Sequence, residues 1–179
     1  VVEEMKGIPL TCELVPTGTW GSNLRSLMPP SGWNRLRKFV YERADNKCEL
    51  CGQDGFSQNR KWAVEAHEIW LYDDVKNEQS LIAVQSLCPR CHLCKHLGRS
   101  LKVGAAEQVR KHMREINGWD EETQQMYEQF VFAIHKHRSR FRWTVNIDML
   151  EDYVHAGAIK QIDFDKSKAK LKGGATEND

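Results

Sequence analysis

Apolar positions along this chain recur in two rhythms. Trp33, Leu36, Val40 and Tyr41 return every three or four residues, the spacing of one buried helix face, and Ser31 stands where a side chain can cap a helix start. This predicts a helix over residues 32–44, set off by the break at Pro29-Pro30 from a first stretch with prolines, glycines and little periodicity. Residues 61–72 and 81–87 carry β-branched and aromatic residues and predict two strands, joined by a loop over 73–79. Pro89 then sits where the first turn of a helix tolerates it, and that helix ends near Gly98. Helical periodicity resumes over 104–116, stopped by Asn117-Gly118, and over 121–140, capped by Asp120. A short strand over 143–147 and a helix over 148–155 follow. The last stretch is Lys-rich and then contains Gly-Gly, the composition of a disordered tail. The chain therefore divides into an irregular segment (1–30), an α+β core (31–102), a helical extension (103–158) and a polar tail (159–179), with no internal repeat.

The chemistry is concentrated in the core. Cys48-Glu-Leu-Cys51 and Cys88-Pro-Arg-Cys91 are two Cys-x-x-Cys turns, each presenting two thiolates on one side of a tight loop. Together they predict a closed, four-thiolate structural zinc site. Six cysteines could instead form three disulfides in an extracellular chain. A length of 179 residues, above disulfide-scaffold size, and no visible secretory segment favour zinc and a cytoplasmic location. Cys88-Pro-Arg-Cys91-His92 also fits c-type haem attachment, but that leaves Cys48 and Cys51 without a role and needs an exported chain; no haem is expected.

The second Cys-x-x-Cys turn runs on as His92-Leu-Cys-Lys-His96. Successive helical residues turn by about 100°, so Cys91 can face the zinc while His92 and His96, four apart, share another face. Leu93 and Leu97 form a neighbouring apolar stripe, and Cys94 reads as a small buried hydrophobe. His67 lies in the first strand, and the returning strand delivers the helix beside it. A lone strand histidine is usually structural; three imidazoles bracketed by a zinc frame predict a second, catalytic divalent ion with open positions. His112, His135, His137 and His155 lack that context and read as surface residues.

The net charge of +1 excludes a uniformly basic nucleic-acid binder, and no apolar run is long enough to span a membrane. Charge is distributed unevenly: Arg99, Lys102, Arg110 and Arg114 follow the histidine helix and could hold phosphates, as could Lys136, Arg138, Arg140 and Arg142; either run also fits a solvated helix face.

Strand, histidine-containing turn, strand and Leu-Cys-x-x-Cys-His-x-x-x-His resemble the HNH nucleases of ββα-metal, treble-clef-like fold, in their zinc-bearing four-cysteine branch. The match runs from Trp33 to about Gly98. Beyond it, His96-Leu-Gly, Asn117-Gly118-Trp119 and the downstream helices look like a bacterial and phage subgroup of HNH endonucleases. The resemblance implies DNA phosphodiester hydrolysis, as an endonuclease or nickase, with Mg2+, Mn2+, Ni2+ or Zn2+ as catalytic metal. With Ile69 as anchor, His67 falls on a metal position and Glu68 on the position of the water-activating base. His92 falls on the second metal position, and His96 on the one that binds metal or phosphate. Two departures stand out. Glu68 replaces the usual histidine, and the family's middle Asn is missing from Leu81-Ile-Ala-Val-Gln-Ser-Leu87, with Asn77 or Gln79 as substitutes. Consecutive strand residues point to opposite faces, so Glu68 and His67 can serve one site only if the strand bends or ends there. The other register makes His67 the base and puts Ala66 on the metal position, with Glu65 and Asp73 as spare carboxylates. A competing reading is a catalytically degenerate, zinc-stapled module that binds DNA or protein.

Overall fold

The computed structural model describes residues 10–174. Its centre is an antiparallel hairpin of β1 (Glu65–Asp73) and β2 (Glu78–Leu87), joined in parallel by β3 (Thr144–Asn146) to give the order β1-β2-β3. The turn is shorter than the composition predicts. Asp73 Oδ1 accepts from the N–H groups of Val75 and Lys76, and Asn77 takes the left-handed conformation (φ 53°) that asparagine tolerates. Pairing with β3 extends β2 back to Glu78.

The hairpin separates two cores. Ala66, Trp70, Leu81 and Val84 face the first. It is closed by α1 (Leu24–Leu27), α2 (Pro30–Arg43), α7 (Leu150–His155) and α8 (Gln161–Gly174). Leu87 enters the second core with Cys94, Leu97, Val109, Met113, Tyr127 and Val131. These come from α3 (Pro89–Lys95), α4 (Leu97–Lys102), α5 (Ala106–Asn117) and α6 (Glu121–Arg138). Cap chemistry sets several ends as anticipated. Asp120 accepts from Thr123 N–H at 2.8 Å, and Gly118 ends α5 at φ 69°. The first long helix begins two residues earlier than a Ser31 cap predicts, because Pro30 supplies a preset φ at the first helical residue. The helix after Pro89 is interrupted at His96 (φ −101°, ψ 48°), and Ser100 Oγ donates to the carbonyls of Leu93 and His96 at the break.

The predicted disordered tail is corrected over residues 161–174, which form α8. Ile159 and Phe164 are buried in the first core, and Asp163 pairs with Arg35 of α2. Gly32 permits this approach, since a Cβ there would lie 2.9 Å from Asp163 Cγ. A few apolar residues on one face suffice once a core is present to receive them, while the lysines solvate the other face. Residues 175–179 of that tail, and residues 1–9 of the irregular segment, lie outside the described residues. From Leu10 onward the irregular segment is a strap across the second core. Leu10 and Asn117 exchange two hydrogen bonds (3.1 and 2.9 Å), and Cys12 N–H donates to Tyr127 Oη at 2.8 Å. Among the described residues no helix is long and apolar enough to cross a membrane.

Candidate metal centre

The first Cys-x-x-Cys turn closes through Gly52, at φ 72°, whose N–H donates to Cys48 O at 2.8 Å. It is tied to the end of β2: Glu49 N–H donates to Ser86 O (2.9 Å), and Ser86 N–H donates to Glu49 Oε2 (2.6 Å). Cys88 follows two residues later as the N-cap of α3, and Cys91 lies in its first turn. The two turns thus meet, and the donor atoms of Cys48, Cys51, Cys88 and Cys91 lie within 4.8 Å of one another, a set that could hold a metal such as zinc. Hydrogen bonding from Cys51, Cys88 and Cys91 pulls the Cys48 thiol well below its ordinary pKa, and the bond to Cys48 in turn raises the thiols of Cys51 and Cys91. Cys94, by contrast, is pushed up to about 12 by burial and is an inert part of the second core.

On the same face of the hairpin, β1 presents His67, and α3 presents His92 with His96 at its end. Ligand atoms of these three histidines also lie within 4.8 Å of one another. Their rings stand edge-on in all three pairs, with centroids 4.8–5.2 Å apart. His92 Nε2 and His96 Nε2 are 3.1 Å apart. Two nitrogens on one tetrahedral zinc, each bound at about 2.0–2.1 Å, stand about 3.3 Å from each other, so the spacing fits a shared ion. His92 Nδ1 lies 2.5 Å from Glu65 Oε2, and a carboxylate only accepts, so Nδ1 carries a ring proton and Nε2 is the nitrogen turned to the cluster. The Glu65 carboxyl is held below the ordinary value by this bond, and its other oxygen accepts from Trp62 Nε1 at 3.0 Å. Burial lowers the pKa of His67, and burial with the nearby His92 and His67 pushes His96 down to about 3, so both are neutral and able to ligate at pH 7. His67 Nε2 is buried without a hydrogen-bond partner.

Glu68 is not in this cluster, which corrects its expected place beside His67. Its oxygens accept from Leu24 N–H (2.8 Å) and Trp70 Nε1 (3.2 Å) on the first-core face. β1 stays regular through Ile69, and the register shifts only between Ile69 and Trp70, opposite an extra β2 residue at Ile82. The bend comes too late to swing Glu68 round. Asp73 is likewise spent on the hairpin turn. Gln79, a substitute for the missing Asn, is buried in β2 beside β3, and Asn77 is in the turn; neither is in the three-histidine cluster.

The four arginines and lysines expected at phosphates divide into two pairs. Arg110 makes a bidentate pair with Glu128 of α6, both bonds at 2.8 Å, and Arg114 reaches Glu107 at 3.2 Å. Arg99 and Lys102 are exposed on α4 and make no ion pair among the described residues; the Arg99 charge helps lower His96. From the second basic run, Arg138 is bound to Asp74 at the hairpin turn (2.8 and 2.7 Å) and stacks over Tyr72.

Two residues escaped the sequence reading. His112 is not a surface residue: its Nε2 lies 3.2 Å from Cys91 Sγ, and its place between Val109 and Met113 on the apolar stripe of α5 was the available signal. Glu13, in the strap, places Oε1 3.5 Å from His67 Nε2; no periodicity in residues 10–16 pointed there.

Comparison with known proteins gives no match to a family model, to a curated protein or to a solved structure.

Proposed function

We propose that this chain is a metal-dependent DNA endonuclease or nickase of HNH type, on a ββα-metal core stapled by a structural zinc. The observation that carries the reading is the convergence of His67, His92 and His96 next to the four-thiolate cluster, in the chain order strand, strand, helix. A closed structural site needs no second set of ligands. Three imidazole ligands leave open positions, as a catalytic ion requires.

A divalent ion held by these residues would stabilise negative charge on the scissile phosphate and its leaving oxygen. The chain's own groups do the rest. Glu65 fixes the ring of His92 with Nε2 turned to the cluster. Arg99 and Lys102, free of carboxylate partners among the described residues, steer and hold the phosphate backbone next to His96. Glu68 is turned to the far face, which leaves Glu65, on the site's own face, as the carboxylate to accept the water proton.

Nicking of supercoiled plasmid tests the proposal. Activity should require Mg2+, Mn2+, Ni2+ or Zn2+, stop on chelation and be lost in His92→Ala while the thiolate zinc is retained. A wild-type protein that binds DNA and leaves it uncut with all four metals would instead be the zinc-stapled binding module that the missing Asn allows.

A further inference from the structure

The three-histidine centre has a third layer that its motif does not contain. Glu13 is largely buried and lies between His67 and Lys95: Oε1 is 3.5 Å from His67 Nε2 and 3.8 Å from Lys95 Nζ. Lys95 is itself buried, with Nζ donating to Thr11 Oγ1 at 3.3 Å, and its carbonyl accepts from Glu13 N–H at 2.8 Å. The strap is thus locked to α3 one residue before His96. Glu13 Oε2 and His67 Nε2 are both buried without a hydrogen-bond partner. Two complementary groups, an anionic acceptor and a ring nitrogen able to donate, stand at the limit of hydrogen-bond length. The arrangement parallels the other carboxylate–imidazole pair of the centre, Glu65 on His92 Nδ1.

We propose that Glu13 is a positioning residue of the metal centre: its carboxylate holds the Nε2 proton of His67, fixes the ring's tautomer and leaves Nδ1 for the ion. Lys95 pairs with the charge of Glu13 in this buried setting. This assignment rests on the metal-centre part of the reading above and not on DNA cleavage. It also gives the helical extension a task. Asn117 and Tyr127 pin the strap at Leu10 and Cys12, so α5 and α6 hold the segment that carries Glu13.

The test uses the full chain with zinc at the cysteines. Long-range 15N–1H spectra of the imidazoles, without a second metal, should show His67 protonated at Nε2 alone, and Glu13→Gln should lose that single tautomer. Titration with Co2+ should show affinity at the histidines falling about 10- to 100-fold in Glu13→Gln, the usual effect of removing a carboxylate behind a metal-bound imidazole, with partial recovery in Glu13→Asp. Melting temperature and thiolate-zinc content should not change. Unaltered His67 signals with Co2+ affinity within about twofold of wild type would overturn the assignment, as would an affinity loss matched by release of the thiolate zinc. Neither readout involves DNA. A wild-type chain that binds Co2+ and cuts no plasmid would end the nuclease reading and leave this one standing.

Discussion

His67 and Glu68 are neighbours in sequence and serve opposite sides of β1. One joins the histidine cluster; the other receives the first N–H of α1 and the Trp70 indole. Burial raises the Glu68 carboxyl from its ordinary 4.5 to about 7. The folded chain therefore holds this proton more tightly than the unfolded chain. The resulting stabilisation is fully present below pH 4.5 and is lost as pH rises through about 7, a difference on the order of 3 kcal/mol. Glu68→Gln should remove that dependence, so denaturant melts of wild type and variant should show a gap that shifts in the variant's favour from pH 5 to pH 8. The same variant should nick plasmid within about threefold of wild type, whereas His67→Ala should lose two or more orders of magnitude. A dead Glu68→Gln that still binds metal would return the base to Glu68.

At the scale of elements, the four-cysteine cluster depends on α3 beginning at Pro89 and on the first turn being sewn to Ser86. Cys51→Ser should lose the thiolate metal and lower the melting temperature by roughly 10 °C, as expected when about 3 kcal/mol or more is removed from a chain of this size. Unchanged melting with normal metal content would exclude a structural role. The helices after His96 do two jobs. α4 exposes Arg99 and Lys102 next to the centre, while α5 spends Arg110 on Glu128. Arg99→Ala with Lys102→Ala should weaken DNA binding and reduce the slope of log affinity against log salt by about 1 to 2. Arg110→Ala should leave that slope alone and destabilise the α5–α6 contact. The reverse pattern in a salt titration would move the phosphate surface to α5. Sequence placed α5 and missed α4, since it ended the histidine helix near Gly98, and it could not say which cations were already paired, because each carboxylate partner lies on another turn or another helix.

At the scale of the molecule, the hairpin is a wall between two cores. One supports Glu68 and Trp70; the other supports the cysteine cluster and α3. α8 seals the first core, so Phe164→Ala should cost about 3 kcal/mol or more in denaturant melts and leave thiolate zinc and metal affinity at the histidines unchanged. Loss of zinc in that variant would show that the two cores do not act separately.

The sequence alone determined whatever depends on local spacing: two Cys-x-x-Cys turns, His92 and His96 one helical turn apart, the strand carrying His67, the helix stop at Gly118 and the helix start at Asp120. These follow from backbone periodicity and turn chemistry, which act within a few residues. The tertiary structure decided whatever depends on which surface a side chain finally meets. It turned Glu68 into the first core, set His112 against Cys91, and folded the lysine-rich stretch after residue 160 onto Phe164's core. It also laid Glu13 beside His67, 54 positions further along the chain. No short-range pattern encodes such a meeting, because it is the packing of α5 and α6 under the strap that brings it about.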